Sequence, residues 1–315
     1  MMIRHTRDNA VYFTSSLLDD IRSYPQSGEE SVDNYQKNPT DARGNLRIVH
    51  GFSTKHGGVS TMPYISDLNF GFAVGEARAV TVENYRRFAF CLGIPGDHVV
   101  CANQTHTARV LRVDARHRGM GISVPYEALL DAALAEEGFD GLVTDAPGVA
   151  LAVRVADCVP ILFCDPVHGI IGACHAGWRG TLAGIAAETV SAMCALGAER
   201  GSIRAAIGHA VGTCCYEIDE AFYRAFLTSL GETLCESVFS VCKGEDGSVR
   251  RHCDLRRTNA LLLAACGIMQ QHIDTSTLCT CCHPQLFHSH RYAQRHTGGK
   301  RGLMAAFISM EEGAN

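Results

Sequence analysis

The sequence lacks the long hydrophobic runs that membrane-spanning helices need. No stretch of about 18 consecutive apolar residues occurs in it. The N-terminal stretch MMIRHTRDNAVYFTSSLLDDIRS mixes charges throughout and has no continuous apolar segment of the kind found in export signals. We therefore expect a cytoplasmic protein that makes no membrane contact.

Common phosphate-binding patterns and an excess of positive charge are also missing. Neither G-x-x-x-x-G-K-[ST] nor G-x-G-x-x-G occurs, which argues against a P-loop or a Rossmann nucleotide site. The formal net charge of −5 argues against a general nucleic-acid-binding protein. Hydrophobic residues make up 46% of the chain and charged residues 19%, which is typical of a folded globular protein.

Cysteine, by contrast, is abundant, with 15 residues. The odd number and the lack of an export signal argue against a disulfide framework. We expect most of these thiols to be reduced and buried as small apolar groups.

The composition divides the chain into three parts. Residues 1–46 are predicted to be a polar N-terminal extension, residues 47–310 a single globular domain, and residues 311–315 a tail. No linker rich in Pro, Gly or Ser splits the central part. Three apolar runs predict strands at residues 148–155, 159–166 and 169–176. Helical spacing predicts helices over residues 181–198, 217–230 and 254–268, with Thr181 and Asp254 as N-caps of the first and last. The mixture predicts an α+β or layered α/β domain.

Three side chains near predicted strand ends are candidates for chemistry. Cys158 lies between two apolar strands, His175 follows the third, and His106 lies in the polar loop NQTHTARV. One thiolate and two imidazoles suit Zn²⁺ with a fourth position left open. Without a metal, the same residues would form a cysteine nucleophile beside a histidine base, and the spacing leaves both possibilities open.

Basic residues near glycines suggest an anion site. Arg179 begins a predicted helix, Lys55 precedes Gly57-Gly58, and Arg291 lies in FHSHRYAQ. Lys300 and Arg301 in TGGKRG add two further cations. We expect phosphate or another anionic ligand at these positions.

The cysteine-rich segment CTCCH at residues 279–283 fits a metal or haem half-site by its letters alone. No second Cys-x-x-Cys completes it, so we interpret it, and the paired thiols of TCCYE at residues 213–217, as core packing.

Several motifs, in order, resemble one family: GFSTKHGGVS, NQTHTARV, RVADCVPILFCDP, CHAGWRG, IGHAVGTCCYEI and CTCCHPQLFHSHR. They are similar to those of the YfiH/LACC1 family of laccase-domain proteins, over roughly residues 47–310. The resemblance implies a single α/β/β/α domain with a zinc site formed by His106, Cys158 and His175. It also implies phosphorolysis of adenosine, inosine, guanosine or S-methyl-5'-thioadenosine to a free base and a pentose 1-phosphate, and in some members deamination of adenosine. Copper-dependent phenol oxidation is an older interpretation of the family.

Some positions depart from the family pattern. Lys55 stands where the family has arginine, which removes bidentate geometry toward phosphate. His209 and Thr213 replace prolines, and Ser289-His290-Arg291-Tyr292 has one basic group fewer. Deamination also needs a proton carrier, for which Asp157 is a candidate. Two alternatives stay open: a copper polyphenol oxidase, disfavoured because HSH at 288–290 is the only H-x-H pair, and a nucleoside-binding protein without turnover.

Overall fold

The structure is a computed structural model that describes residues 1–19, 46–65, 67–72, 75–243 and 249–312. Within these ranges, no helix has the length and apolar character that crossing a lipid bilayer requires. The predicted polar segment of residues 20–45 lies outside the described residues.

The described chain alternates between strands and helices. The strands are β1 Met2–Arg7, β2 Ala10–Ser15, β3 Leu46–Ser53, β4 Val99–Cys101, β5 Val110–Arg112, β6 Gly141–Thr144, β7 Ala150–Val155, β8 Val159–Asp165, β9 Ile170–Ala176, β10 Arg204–Ile207, β11 Glu217–Ile218, β12 Phe239–Lys243, β13 Val249–Cys253, β14 Ile273–Thr275 and β15 Met304–Glu312. The helices are α1 Ser16–Asp19, α2 Arg78–Leu92, α3 Ala132–Glu137, α4 Trp178–Leu182, α5 Ile185–Ala195, α6 Glu220–Leu230, α7 Glu232–Val238, α8 Leu255–Ala265 and α9 His290–His296.

Two six-stranded sheets form the centre of the fold. The first has the order β1-β2-β3-β15-β7-β4 and the second the order β14-β10-β8-β9-β6-β5. Most neighbours are antiparallel, but the pairs β4–β7, β5–β6 and β10–β14 are parallel. A small third sheet, β11-β13-β12, lies outside both.

The two sheets pack face to face, and helices cover their outer faces. Phe52 and Leu151 of the first sheet share one buried cluster with Leu162 and Ala173 of the second. Helix α2 packs Phe88 against the other face of the first sheet. Helices α5, α6 and α8 cover the other face of the second sheet in a further buried cluster. The alternation of inward and outward apolar residues therefore produces four layers, and the predicted α/β/β/α class is confirmed.

The chain crosses between the sheets at two places that matter for function. Strand β4 of the first sheet leads through residues 102–109 to β5 of the second. Strand β7 of the first sheet leads through only residues 156–158 to β8 of the second. Both crossings carry predicted site residues.

The predicted elements agree in place but differ at two helix starts. The helix predicted over residues 217–230 is α6, which begins only at Glu220, because Glu217–Ile218 pair with β13 as strand β11. The strands predicted at residues 148–176 form β7, β8 and β9, and Asp254 caps α8 by accepting a hydrogen bond from the Arg257 N–H. Thr181 is not an N-cap, because helix α4 already begins at Trp178, with Gly177 as its N-cap. Gly184, at φ +84°, then separates α4 from α5, so one predicted helix is two.

The predicted N-terminal extension and C-terminal tail differ from the structure in the residues that it describes. Strands β1 and β2 form a hairpin, and β2 pairs with β3 within the first sheet. Strand β15 continues to Glu312, past the predicted end of the domain at residue 310. A polar composition hides both elements, because β1 is an edge strand with mostly exposed residues and β15 ends with two charged residues, Glu311 and Glu312.

Candidate metal centre

The two crossings bring His106, Cys158 and His175 together. In the antiparallel β8–β9 ladder, Val159 lies opposite Ala176 and Pro160 opposite His175, which places Cys158 next to His175. His106 approaches from the other crossing, with its ring 4.9 Å from that of His175. One ligand atom from each of the three residues lies within 4.8 Å of the other two. This donor set, two imidazoles and a thiol, fits a zinc or a copper ion.

Unusual backbone conformations mark this centre. His106 and Asp157 have φ values of 64° and 86°, a region that non-glycine residues rarely adopt. A Cβ atom at Gly177 would lie 2.9 Å from Cδ2 of His106 and 3.1 Å from Sγ of Cys158. Glycine is therefore needed where the strand carrying His175 turns into helix α4.

A buried carboxylate that the sequence analysis missed fixes the geometry of both histidines. Asp140 is fully buried, and its Oδ1 lies 2.7 Å from Nδ1 of His175. Its Oδ2 accepts the backbone N–H groups of Thr105 and Thr107, at 3.1 and 2.7 Å. One side chain thus holds the His175 ring and the loop that carries His106. No local sequence signal distinguishes Asp140 from other aspartates that precede strands.

A second side chain anchors the same loop. The Gln104 amide accepts the Arg154 backbone N–H at 2.8 Å and donates to the Arg154 carbonyl at 2.7 Å. The pair of bonds resembles one rung of a strand ladder and fastens the His106 loop to β7.

The electrostatics of the trio favour a thiolate. Burial raises the pKa of Cys158, but the charge of His175 and hydrogen bonds from both histidines outweigh it and lower that pKa to about 6. Burial lowers the pKa of His175, whereas the Cys158 charge and the Asp140 hydrogen bond raise it to about 9. A deprotonated sulfur is the form that binds a metal.

The trio opens into a cavity of about 480 Å³ that also contains two arginines, Arg154 and Arg301. Burial lowers the pKa of Arg301, while the charges of Asp157 and Cys158 oppose the shift. The buried Nε of Arg301 has no hydrogen-bond partner in the described part of the chain. A buried guanidinium N–H without a partner indicates a place for an anionic ligand.

The cations predicted to bind phosphate lie apart from the trio. Arg179 and Arg291 line a second cavity, of about 820 Å³, together with Trp178 and Tyr216. Each guanidinium lies over an aromatic ring, at 4.1 Å from the Trp178 centroid and 5.4 Å from that of Tyr216.

Lys55 lines neither of these two cavities. It lies near Asp67, and burial lowers the pKa of its amine.

Asp157, predicted as a proton carrier, instead accepts hydrogen bonds that hold neighbouring segments. Its Oδ1 accepts the Thr280 hydroxyl at 2.6 Å and its Oδ2 the Arg291 backbone N–H at 2.5 Å. Both oxygens are therefore engaged in holding neighbouring segments. Asp157 connects the crossing that carries Cys158 to the chain that leads into helix α9.

Comparison with known proteins assigns the chain that carries this centre to a family. The model of the family described as multi-copper polyphenol oxidoreductase laccase matches residues 49–311. The chain belongs to this laccase-domain (YfiH) family. The predicted resemblance is confirmed, and the family's region includes all three residues of the metal centre.

Relatives within the YfiH family carry two kinds of names. The chain is 40% identical over 286 residues to a protein of Geobacillus stearothermophilus named purine nucleoside phosphorylase YlmD, covering 86% of this chain and 96% of that one. It is 33% identical to adenosine deaminase RL5 of an unknown prokaryotic organism, covering 77% and 88%. The crystal structure of Bacillus licheniformis hypothetical protein YfiH superposes with a TM-score of 0.72 at 36% identity, covering 83% and 92%.

The H-x-H pair at residues 288–290 does not join a metal cluster within the described ranges. Metal-capable groups there are the trio and a set of four cysteines. His288 is buried, and its Nε2 lies 3.3 Å from the Leu68 carbonyl. Burial lowers the pKa of His288 to about 4, so this ring is neutral in the folded protein near pH 7.

Proposed function

We propose that this protein is a zinc-dependent purine nucleoside phosphorylase. The proposal rests chiefly on one observation: the His106–Cys158–His175 trio shares a cavity with Arg301, whose buried Nε has no hydrogen-bond partner among the residues that the structure describes. The names of the relatives support a nucleoside substrate. The substrates would be adenosine, inosine, guanosine or S-methyl-5'-thioadenosine, as the family resemblance implies.

The reaction needs a held phosphate and a ribose positioned against it. A phosphate oxygen forms a bond to C1′ while the C1′–N9 bond breaks, and the leaving purine takes up the proton that the phosphate gives up. Arg301 presents its guanidinium to the phosphate, and the buried charge of Arg154 adds positive potential. His106, Cys158 and His175 would hold a zinc ion, which would supply Lewis acidity at this site. Asp140 keeps His175 oriented as a ligand.

The proposal keeps Arg179, Arg291 and Lys55 as candidate residues for binding phosphate or the nucleoside. Arg179 and Arg291 share their cavity with aromatic rings, an arrangement suited to an anionic group attached to a flat base. Lys55 is the weakest of the three candidates, because it lines neither cavity.

Adenosine deamination is the second candidate activity, supported by the name of the RL5 relative. It would use the same trio, with water in place of phosphate, and release ammonia and inosine. Asp157 is a poor proton carrier for this reaction, since both its carboxylate oxygens accept hydrogen bonds.

The test measures free base and ammonia released from adenosine and inosine, with and without phosphate. We expect phosphate-dependent base release by the wild type, its loss in Cys158→Ala, and its retention in Cys242→Ser, which changes an exposed cysteine on β12. Ammonia release that needs no phosphate would support deamination instead. Base release that is independent of phosphate and unaffected by Cys158→Ala would reject the proposal.

Arg301 can be tested separately through phosphate affinity. Loss of a charge-assisted hydrogen bond is worth about 1.5–3 kcal/mol, so Arg301→Ala should raise the KM for phosphate about 10- to 100-fold. The matched control is Lys300→Ala, which removes the adjacent exposed cation. An equal effect of both substitutions would show that only general positive charge matters.

Metal analysis distinguishes a zinc protein from a copper protein. Combined with the activity assays, it also distinguishes an enzyme from a protein that only binds nucleosides. Zinc in active protein supports the phosphorylase. Copper together with phenol oxidation would support the polyphenol oxidase alternative. Nucleoside binding without base or ammonia release would indicate a non-catalytic protein.

A further inference from the structure

A second group of side chains suited to a metal lies outside the candidate metal centre. Cys214, Cys215, Cys279 and Cys282 form what we call the four-thiol cluster, and their sulfurs all lie within 4.8 Å of one another. The Sγ of Cys282 is 3.4 Å from that of Cys214 and also 3.4 Å from that of Cys215. Four sulfurs around a tetrahedral Zn²⁺ at about 2.3 Å would be about 3.8 Å apart, so the spacing fits such an ion.

The local backbone also resembles a thiolate site. Cys279 and Cys282 have Cys-x-x-Cys spacing, the usual half of a structural zinc site. The Sγ of Cys279 accepts the Gly212 N–H at 3.2 Å, and the Cys282 N–H also donates to it. A Cβ atom at Gly212 would lie 3.2 Å from Cβ of Cys279, so glycine allows the two loops to approach.

A buried cation balances the charge that four thiolates would bring. Arg256 is 7% exposed, and it donates to the carbonyls of Ser276 and Leu278 at 2.7 Å. It forms no ion pair with a carboxylate within the described residues. Burial lowers the pKa of Arg256, and the negative charges of Asp254, Cys279 and Cys214 oppose that shift. The buried guanidinium therefore lies close enough to the four-thiol cluster to offset part of the negative charge of a metal–thiolate centre.

A disulfide explains this cluster less well. A sulfur can form one disulfide bond, whereas Cys282 lies equally close to two partners, and Cys279 remains beside them. A metal ion uses all four sulfurs at once. The adjacent pair Cys214-Cys215 thus supplies the second half that the Cys-x-x-Cys pattern lacks. Cys214 lies 68 residues before Cys282 in the chain.

We propose that the four-thiol cluster is a structural Zn²⁺ site that joins the loop of residues 210–216 to the loop of residues 279–283. The loops already meet through a hydrogen bond from the Thr280 N–H to the Ala210 carbonyl, at 3.1 Å. Tyr216 follows the first pair of thiols and lines the second cavity. Thr280 lies between the other two and donates to Asp157. Bound zinc therefore holds both loops against the segment that carries Cys158.

The test uses the full chain with Cys158→Ala, which removes a ligand of the candidate metal centre and leaves the four-thiol cluster intact. Purified with reductant, this variant should retain one zinc per chain by elemental analysis. Its Co²⁺ form should show thiolate-to-cobalt charge transfer and the intense visible bands of a tetrahedral site. Adding Cys279→Ser should abolish both signals. The matched control is Cys281→Ser, the same change at a neighbouring thiol outside the cluster, which should retain them.

A second measurement covers the case in which Cys279→Ser fails to fold. Cys214 and Cys282 are exposed, as is Cys242 outside the cluster. In the zinc-loaded Cys158→Ala protein, the two cluster thiols should alkylate at least about tenfold more slowly than Cys242, and a chelator should remove this protection. A Cys158→Ala chain with no metal and with cluster thiols as reactive as Cys242, or joined as disulfides, would overturn the proposal. That result leaves the nucleoside phosphorylase untouched, because its assay depends on Cys158.

Discussion

Asp140 is the residue on which the candidate metal centre depends most. It hydrogen-bonds the His175 ring and the backbone of the loop that carries His106, so it holds both histidine-bearing segments. Burial raises its pKa, but hydrogen bonds from His175 and from the Thr107 and Thr105 N–H groups outweigh this and lower it. Asp140 is therefore a carboxylate at neutral pH, the form that fixes the tautomer of a ligating imidazole.

The substitution Asp140→Asn tests this role. We expect it to weaken metal binding at the trio about 10- to 100-fold, because an amide cannot accept all of these hydrogen bonds. Competition with a chromogenic chelator measures the affinity. Asp145→Asn is the control, since Asp145 directly follows the strand that Asp140 precedes and forms an ion pair with the exposed Arg112. Equal affinities for the two variants would contradict the role.

His209, which departs from the family pattern, leads to a separate prediction about how the free energy of unfolding depends on pH. The ring is buried between the sheets, with its centroid 4.4 Å from that of Phe13. Burial, with the charges of Arg256 and His283, lowers its pKa to about 3. Below pH about 6.5 the His209 imidazole is therefore protonated in the unfolded chain but stays neutral in the folded chain.

This histidine should therefore destabilise the protein in acid. Its contribution to the free energy of unfolding falls by about 1.4 kcal/mol for each pH unit between about 6.5 and the folded pKa. Denaturant titrations of wild type and His209→Gln at several pH values measure the difference. The stability of the variant should fall less steeply with acid. Parallel curves would show that His209 titrates normally.

At the scale of elements, the strand–turn–helix unit β9–Gly177–α4 explains why reactive side chains lie between glycines. His175 comes from the strand and Arg179 from the first turn of the helix, so only a sharp turn keeps both near the sheet edge. Gly177 lies at that turn, and its lack of a side chain leaves room for the Cys158 sulfur and the His106 ring.

The substitution Gly177→Ala should displace these ligands. The added methyl group would overlap the His106 ring and the Cys158 sulfur, so we expect metal affinity at the trio to fall about tenfold or more. Gly201→Ala is the control, because nothing lies within 4 Å of a Cβ there. Unchanged affinity in Gly177→Ala would mean that the His106 loop moves freely.

At the scale of the whole molecule, the N-terminal hairpin completes the core between the two sheets. Phe13 of β2 is 6% exposed and belongs to the same cluster as Leu151 and Leu162. Its ring also contacts His209 and lies 6.2 Å from the Phe287 ring. The hairpin is thus part of the domain rather than an appendage.

Removing the Phe13 ring should destabilise the folded protein. We expect Phe13→Ala to lower the free energy of unfolding by about 3–5 kcal/mol through loss of buried surface and a cavity. Ile3→Ala, in the same hairpin but 40% exposed, should change it by less than about 0.5 kcal/mol. Equal effects in chemical unfolding would place the hairpin outside the cooperative core.

The apolar periodicity of β7 to β9, the Asp254 cap and the family can all be predicted from the sequence, because each depends on neighbouring residues or on short ordered motifs. The sequence also identifies His106, Cys158 and His175 as residues of suitable chemistry. The three-dimensional fold is needed to show that these three residues meet, that Asp140 supports them, that Arg301 rather than Lys55 shares their cavity, and that four cysteines converge. These facts depend on which strands pair and where the chain crosses between sheets, and contacts across long stretches of chain leave no periodic trace in the sequence.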